Sequence, residues 1–196
     1  PKETVALFSH VVTELTRGLD VPFGCGLRID PRASLAVARA VGAAFVRVTY
    51  GVTAGTFGLS AESPGEILRY RERIGARNVQ MFVNLSPHFA TSLDTRPIAE
   101  IARTSYATTQ ADAIQVHGAG AGAAADLDVV REVRRALPNV PVIVASGVKV
   151  ETLPQVLEAG DAVIVGSSLK QGGETWNPID PERARAFMRR VREIRG

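Results

Sequence analysis

The chain has 196 residues, 45% of them hydrophobic and 22% charged, an ordinary globular balance with length enough for one sizeable core and a single domain over 1–196. A formal net charge of +3 is mild for a nucleic-acid binder, and no apolar run is long enough to cross a bilayer. The single cysteine, Cys25, excludes an internal disulfide framework and fits a reducing, cytoplasmic setting, and the opening Pro1-Lys2-Glu3-Thr4 has no secretory pattern.

Taken in chain order, residues 2 to 18 place Val5, Phe8, Val12 and Leu15 on one helical stripe, with Gly18 near the expected stop. A strand is expected at 23 to 29, a helix at about 33 to 42 and a second strand at 44 to 50. The glycine-rich stretch from Gly51 to Ser63, which carries Glu62, reads as a long loop and a candidate lid. Helical patterns follow at 64 to 75, 96 to 110, 126 to 137 and 151 to 159, alternating with strands at 79 to 86, 113 to 117, 140 to 146 and 162 to 167. A helix at 181 to 195 closes the chain. Its six arginines interleave with Ala184, Phe187, Met188, Val191 and Ile194, the spacing of a helix packed on a core with a solvated basic face.

Six strands alternating with helices predict parallel βα units. No Gly-x-Gly-x-x-Gly turn follows the first strand, and polar residues recur at alternate strand positions, so the expected fold is an α/β TIM (β/α)8 barrel with six βα units visible. A barrel needs eight strands, and the simplest account is that the first two, with the helix between them, lie outside this chain.

The alternation places Arg28, Arg47, Thr49, Gln80, Asn84, Ser86, Gln115 and His117 on the inner face, with Gly24 and Gly26 opposite Phe23, Cys25 and Leu27. Barrel interiors are ordinarily filled by Val, Ile and Leu. Two inward arginines with glycines beside them therefore suggest a cavity for a ligand carrying carboxylate or phosphate groups; the competing reading is a self-satisfied internal network. Cys25 is expected on the outward face, as packing. Two turns complete the site: Ala145-Ser146-Gly147-Val148 and Val165-Gly166-Ser167-Ser168-Leu169-Lys170. Glycine lets the backbone approach an anion while amides and hydroxyls donate to it, so both turns read as phosphate-binding. His117 ends one strand and His88 follows another, and both are candidates to move protons, with Asp30 a third candidate that also reads as a turn and helix start. No third ligand falls at metal spacing, and no cofactor is implied.

These residues resemble the BtpA family, named for a photosystem I biogenesis factor. The resemblance rests on Val163-Ile164-Val165-Gly166-Ser167-Ser168-Leu169-Lys170 with Trp176-Asn177-Pro178-Ile179-Asp180-Pro181-Glu182-Arg183, supported by Ala145-Ser146-Gly147-Val148, Ile67-Leu68-Arg69-Tyr70-Arg71, Phe45-Val46-Arg47-Val48 and Leu27-Arg28 with Asp30. It implies a ribulose-phosphate-binding-type barrel with phosphate held at both glycine turns. The chain departs from the family pattern at Asn84, Ser86, His88 and Phe89, where an aspartate, a histidine and a Lys-His pair are expected, and at Thr49 and His117. The resulting expectation is a protein that binds a phosphorylated small metabolite of sugar-phosphate or phosphoribosyl type, with isomerase or lyase chemistry. Ser146, Gly147, Gly166, Ser167 and Ser168 would hold the phosphate, while Arg28, Arg47 and Asn84 would bind the rest of the ligand. The alternative is a non-catalytic assembly or biogenesis factor for a membrane or photosynthetic complex that keeps a residual phosphate pocket. The expected partner is thus a phosphorylated small molecule, without nucleic acid, and a homo-oligomer is compatible with the sequence.

Overall fold

A computed structural model describes residues 2–28, 30–55, 58–85, 90–120 and 122–196. Helices α1 (Lys2–Thr16) and α2 (Pro31–Val41) precede strand β1 (Phe45–Thr49), and then come β2 (Gly51–Gly55) and β3 (Gly58–Glu62). The chain continues through α3 (Pro64–Arg73), β4 (Gln80–Asn84), β5 (Ala90–Ser92), α4 (Ile98–Thr109), β6 (Ala113–His117), α5 (Leu127–Ala136), β7 (Val142–Ala145), α6 (Leu153–Ala159) and β8 (Ala162–Ile164). A 3₁₀ turn at Ser167–Leu169 leads toward α7 (Pro181–Arg195). β1, β4, β6, β7 and β8 form a parallel sheet in that order, with helical crossovers between successive strands.

Local chemistry sets the helix boundaries. Asp30 accepts the Ala33 N–H at 2.8 Å, Pro31 supplies the preset φ of a first helical residue, and Gly42 at φ 74° ends α2. Asp180 repeats the arrangement at α7, its Oδ1 accepting from Glu182 and Arg183. Strand alternation then builds the core. Val46, Val48, Met81, Val83, Ile114, Val116, Val142 and Val144 are each at most 3% exposed, in one cluster with Leu35, Ile67, Val130, Val133, Leu153 and Val156 from the helices. Each such side chain stabilises the fold by roughly 1.5–3 kcal/mol relative to exposure. Among the described residues, no helix is long and apolar enough to cross a membrane.

Three expectations need correction. The strand expected at 23 to 29 is not a strand of the sheet: among the described residues, 23 to 28 join β1 by one bridge, Gly24 to Phe45, so the sheet has five strands there where six are expected. Ala44 donates to Phe23 O at 2.8 Å and Cys25 to Phe45 O at 3.3 Å, but the Leu27 N–H turns away to the Ser34 hydroxyl of α2 at 2.9 Å, which stops the ladder. The stretch from Gly51 to Ser63 is not an irregular loop. β2 pairs antiparallel with β3 and with β5, a separate three-stranded sheet. Finally, Leu15 of the opening stripe is 72% exposed, whereas Val12 alone among the α1 residues is buried.

Candidate functional site

The strands are parallel, so the residues after each carboxyl end gather at one edge of the sheet. There the inner-face side chains form a continuous hydrogen-bonded chain. Thr49, Asn84 and Gln115 occupy one register level across β1, β4 and β6. Asn84 Nδ2 lies 3.1 Å from Thr49 Oγ1, and Asn84 Oδ1 lies 2.8 Å from His117 Nε2. Arg47 donates from Nε to Gln115 Oε1 at 2.8 Å and brings Nη2 to 3.1 Å from His117 Nε2. An arginine only donates, so Nε2 either accepts from Arg47 or donates to Asn84 according to its tautomer. In both cases the imidazole is held on one edge, while its Nδ1 faces Ser146 Oγ at 3.5 Å.

Below this chain the face turns apolar, with Phe45 and Phe82 stacked at 4.7 Å. Gln80, expected on the lining, is exposed. Gln115 is wholly buried, and among the described residues its Nε2 has no hydrogen-bond partner, an omission that costs roughly 1–3 kcal/mol.

Two cavities meet at Arg47 and His117. A pocket of about 280 Å³ is lined by Gly24, Cys25, Gly26, Arg28, Asp30, Ser34, Thr49 and Asn84 together with those two residues. Cys25 packs against the core cluster, as expected of a packing residue, and also lines this pocket. Burial pushes its thiol pKa up. Alkylation by iodoacetamide at pH 7 should accordingly be slower than that of a small free thiol, accelerating only in alkali; equal rates at pH 7 would refute this placement.

The second cavity is a groove of about 940 Å³ lined by both glycine turns, Lys149, Glu151, Gly172, Gly173 and Arg183. Ser146 stands at φ 75° and Gly147 at φ 64°, consecutive left-handed residues of which the serine is the uncommon one. The loop after β6 locks this turn. A Cβ on Gly147 would come within 2.4 Å of Ala124 N, and one on Gly118 within 2.2 Å of Ala123 O. The second turn is tied to the first by Ser168, whose hydroxyl donates to Val148 O at 2.7 Å. Ser167 Oγ pairs with Thr175 Oγ1 at 2.9 Å, and Lys170 Nζ donates to Thr175 O.

Arg28, Arg47, Asn84, His117, Ser146, Gly147, Gly166, Ser167 and Ser168 all line this pair of cavities. Asp30 lines the smaller one, its carboxylate engaged as the α2 cap. His88 and Ser86 lie outside the described residues. Arg183, expected on a solvated helix face, instead lines the groove, and its Nη1 donates to Ser168 O at 3.2 Å. The Asp180-Pro181 cap signal was the available clue, because it starts α7 beside the second turn.

The BtpA family model matches residues 1–193. This chain belongs to the BtpA family. The Escherichia coli protein SgcQ, described as a putative sgc region protein, is 32% identical over 194 residues, covering 98% of this chain and 72% of that one. The photosystem I biogenesis protein BtpA of Synechocystis is 31% identical, covering 96% and 67%. Among solved structures, Pyrococcus furiosus N-(5'-phosphoribosyl)anthranilate isomerase superposes with TM-score 0.63 at 18% identity over 94% of this chain and 80% of that one. Thiamine phosphate pyrophosphorylase from the same organism gives 0.64 at 18% identity over 100% and 80%. These neighbours are TIM barrels, and the BtpA-family chain has their α/β architecture, with an open five-stranded parallel sheet.

Proposed function

We propose that this BtpA-family chain binds a phosphorylated small metabolite of sugar-phosphate or phosphoribosyl type and acts on it by proton transfer, as an isomerase or lyase. The observation that carries the reading is the turn at Ser146 and Gly147, two successive left-handed residues on a groove that also holds Gly166, Ser167 and Arg183. Left-handed turns present backbone amides to anions, and the serine conformation costs free energy that a bound ligand would offset. The phosphate would sit between the two turns. His117, one side chain away from Ser146 and braced by Asn84 and Arg47, is the group placed to move a proton. The solved phosphoribosylanthranilate isomerase and thiamine phosphate pyrophosphorylase, whose names carry phosphate esters, share this architecture and support the ligand class.

A second reading, a non-catalytic assembly factor, draws on the name of the Synechocystis relative and on the sequence departures at Asn84 and Phe89. Thermal melting separates the two. A phosphate ester at a hundred times its Kd should stabilise the chain by about 2.7 kcal/mol, a rise in Tm of roughly 5–10 °C for this size. No shift with any sugar phosphate, together with stable capture of a protein partner, would favour the assembly factor.

A further inference from the structure

Beyond bracing His117, Arg47 carries a charge that phosphate binding at the two turns does not use. Arg47 lines both the smaller pocket and the larger groove, so its guanidinium stands where a ligand extending from the phosphate turns would place its other end. The buried Gln115 positions it. Because a guanidinium has no acceptor, the carboxamide oxygen must be the atom that meets Arg47 Nε at 2.8 Å. That bond occupies Nε and leaves Nη2 3.1 Å from His117 Nε2, with Arg47 on the walls of both cavities.

Among the described residues, no ion pair includes Arg47. Arg47 keeps solvent access at the cavity walls, and partial burial, and then the charge of Arg28, lower its pKa. A planar guanidinium in such a place matches a carboxylate, which it can bind through two parallel N–H donors. Gly24 and Gly26 lie on the pocket wall.

We propose that Arg47, positioned by Gln115, binds a carboxylate at the far end of the same ligand, so that the substrate class is a phosphate ester of a sugar acid or other hydroxy acid. This rests on the phosphate reading above and adds a second anionic contact to it. A phosphate at one end and a carboxylate at the other would fix the ligand's direction along the groove, with the carbons between them beside His117.

Calorimetric titration with two matched pairs tests it: glycerol 3-phosphate against 3-phosphoglycerate, and ribose 5-phosphate against 5-phosphoribonate. In the unaltered chain the acid of at least one pair should bind tenfold or more tighter than its neutral partner. Arg47→Met should abolish that preference. Gln115→Glu, which supplies a competing carboxylate to Arg47 in nearly the same shape, should also shrink it, whereas a merely structural role for Gln115 would weaken both members of a pair alike. If both members of each pair bind equally, the carboxylate site is refuted and the phosphate reading stands. If no phosphate ester binds, both fall.

Discussion

Replacing Gly147 with alanine is expected to destabilise the chain by about 3 kcal/mol and to weaken any phosphate ester tenfold or more. Two costs combine. A left-handed φ of 64° costs an L-residue roughly 1–2 kcal/mol. The added methyl would also lie 2.4–2.5 Å from backbone atoms of Ala123 and Ala124, and overpacking of that kind adds roughly 1–3 kcal/mol. Backbone atoms cannot rotate aside as a side chain can, so either the loop after β6 or the turn itself must shift. Thermal melting should show a fall in Tm of roughly 6–12 °C. Gly172→Ala is the matched control: its φ is 65°, but nothing lies closer than 3.9 Å to the new atom, so only the backbone cost should appear. Equal melting of both variants would mean that the loop and the turn are not interlocked.

His117→Ala should remove proton transfer. A positioned general acid or base contributes roughly 10²–10⁴-fold, and isomerase or lyase chemistry at a sugar phosphate exchanges a carbon-bound proton with solvent. Nuclear magnetic resonance of sugar phosphates incubated in D2O reads that exchange directly. Deuterium wash-in by the unaltered chain should fall by two or more orders of magnitude in the variant. Wash-in that persists would pass the role to another group, and none in either protein would favour the assembly factor.

The Arg47 and His117 sites illustrate how far side-chain period reaches. Period-2 alternation correctly put Arg47, Asn84, Gln115 and His117 on one face of the parallel strands, because burial of Val46, Val83, Ile114 and Val116 on the other face fixes every neighbour's direction. It could not say that Arg47 would meet both Gln115 and His117, which belong to a strand 68 and 70 residues further along. At Gln80 the same rule named the lining, yet the strand's first residue is exposed. The pattern knows the face but not the depth.

The antiparallel sheet of β2, β3 and β5 was hidden for a different reason. Its strands, such as Gly51–Gly55 and Ala90–Ser92, are made of small residues with no strong apolar alternation, so backbone pairing between distant segments decides their state. Arg183 failed in the opposite direction. Its spacing fitted a solvated helix face, and only the packing of α7 beside the Ser167 turn brings its guanidinium to Ser168 O.

The alternating parallel α/β plan, the helix start at Asp30, the two glycine turns and the BtpA-family membership are legible in the sequence, since each depends on short-range spacing or local backbone chemistry. Only the tertiary packing makes the segment at 23 to 28 leave the sheet after one bridge, seats Gly147 against the loop after β6 and puts Arg47 on the walls of two cavities. Those outcomes depend on contacts between residues far apart in the chain, where steric fit and competition for hydrogen bonds, such as the Ser34 hydroxyl claiming the Leu27 N–H, override local preference.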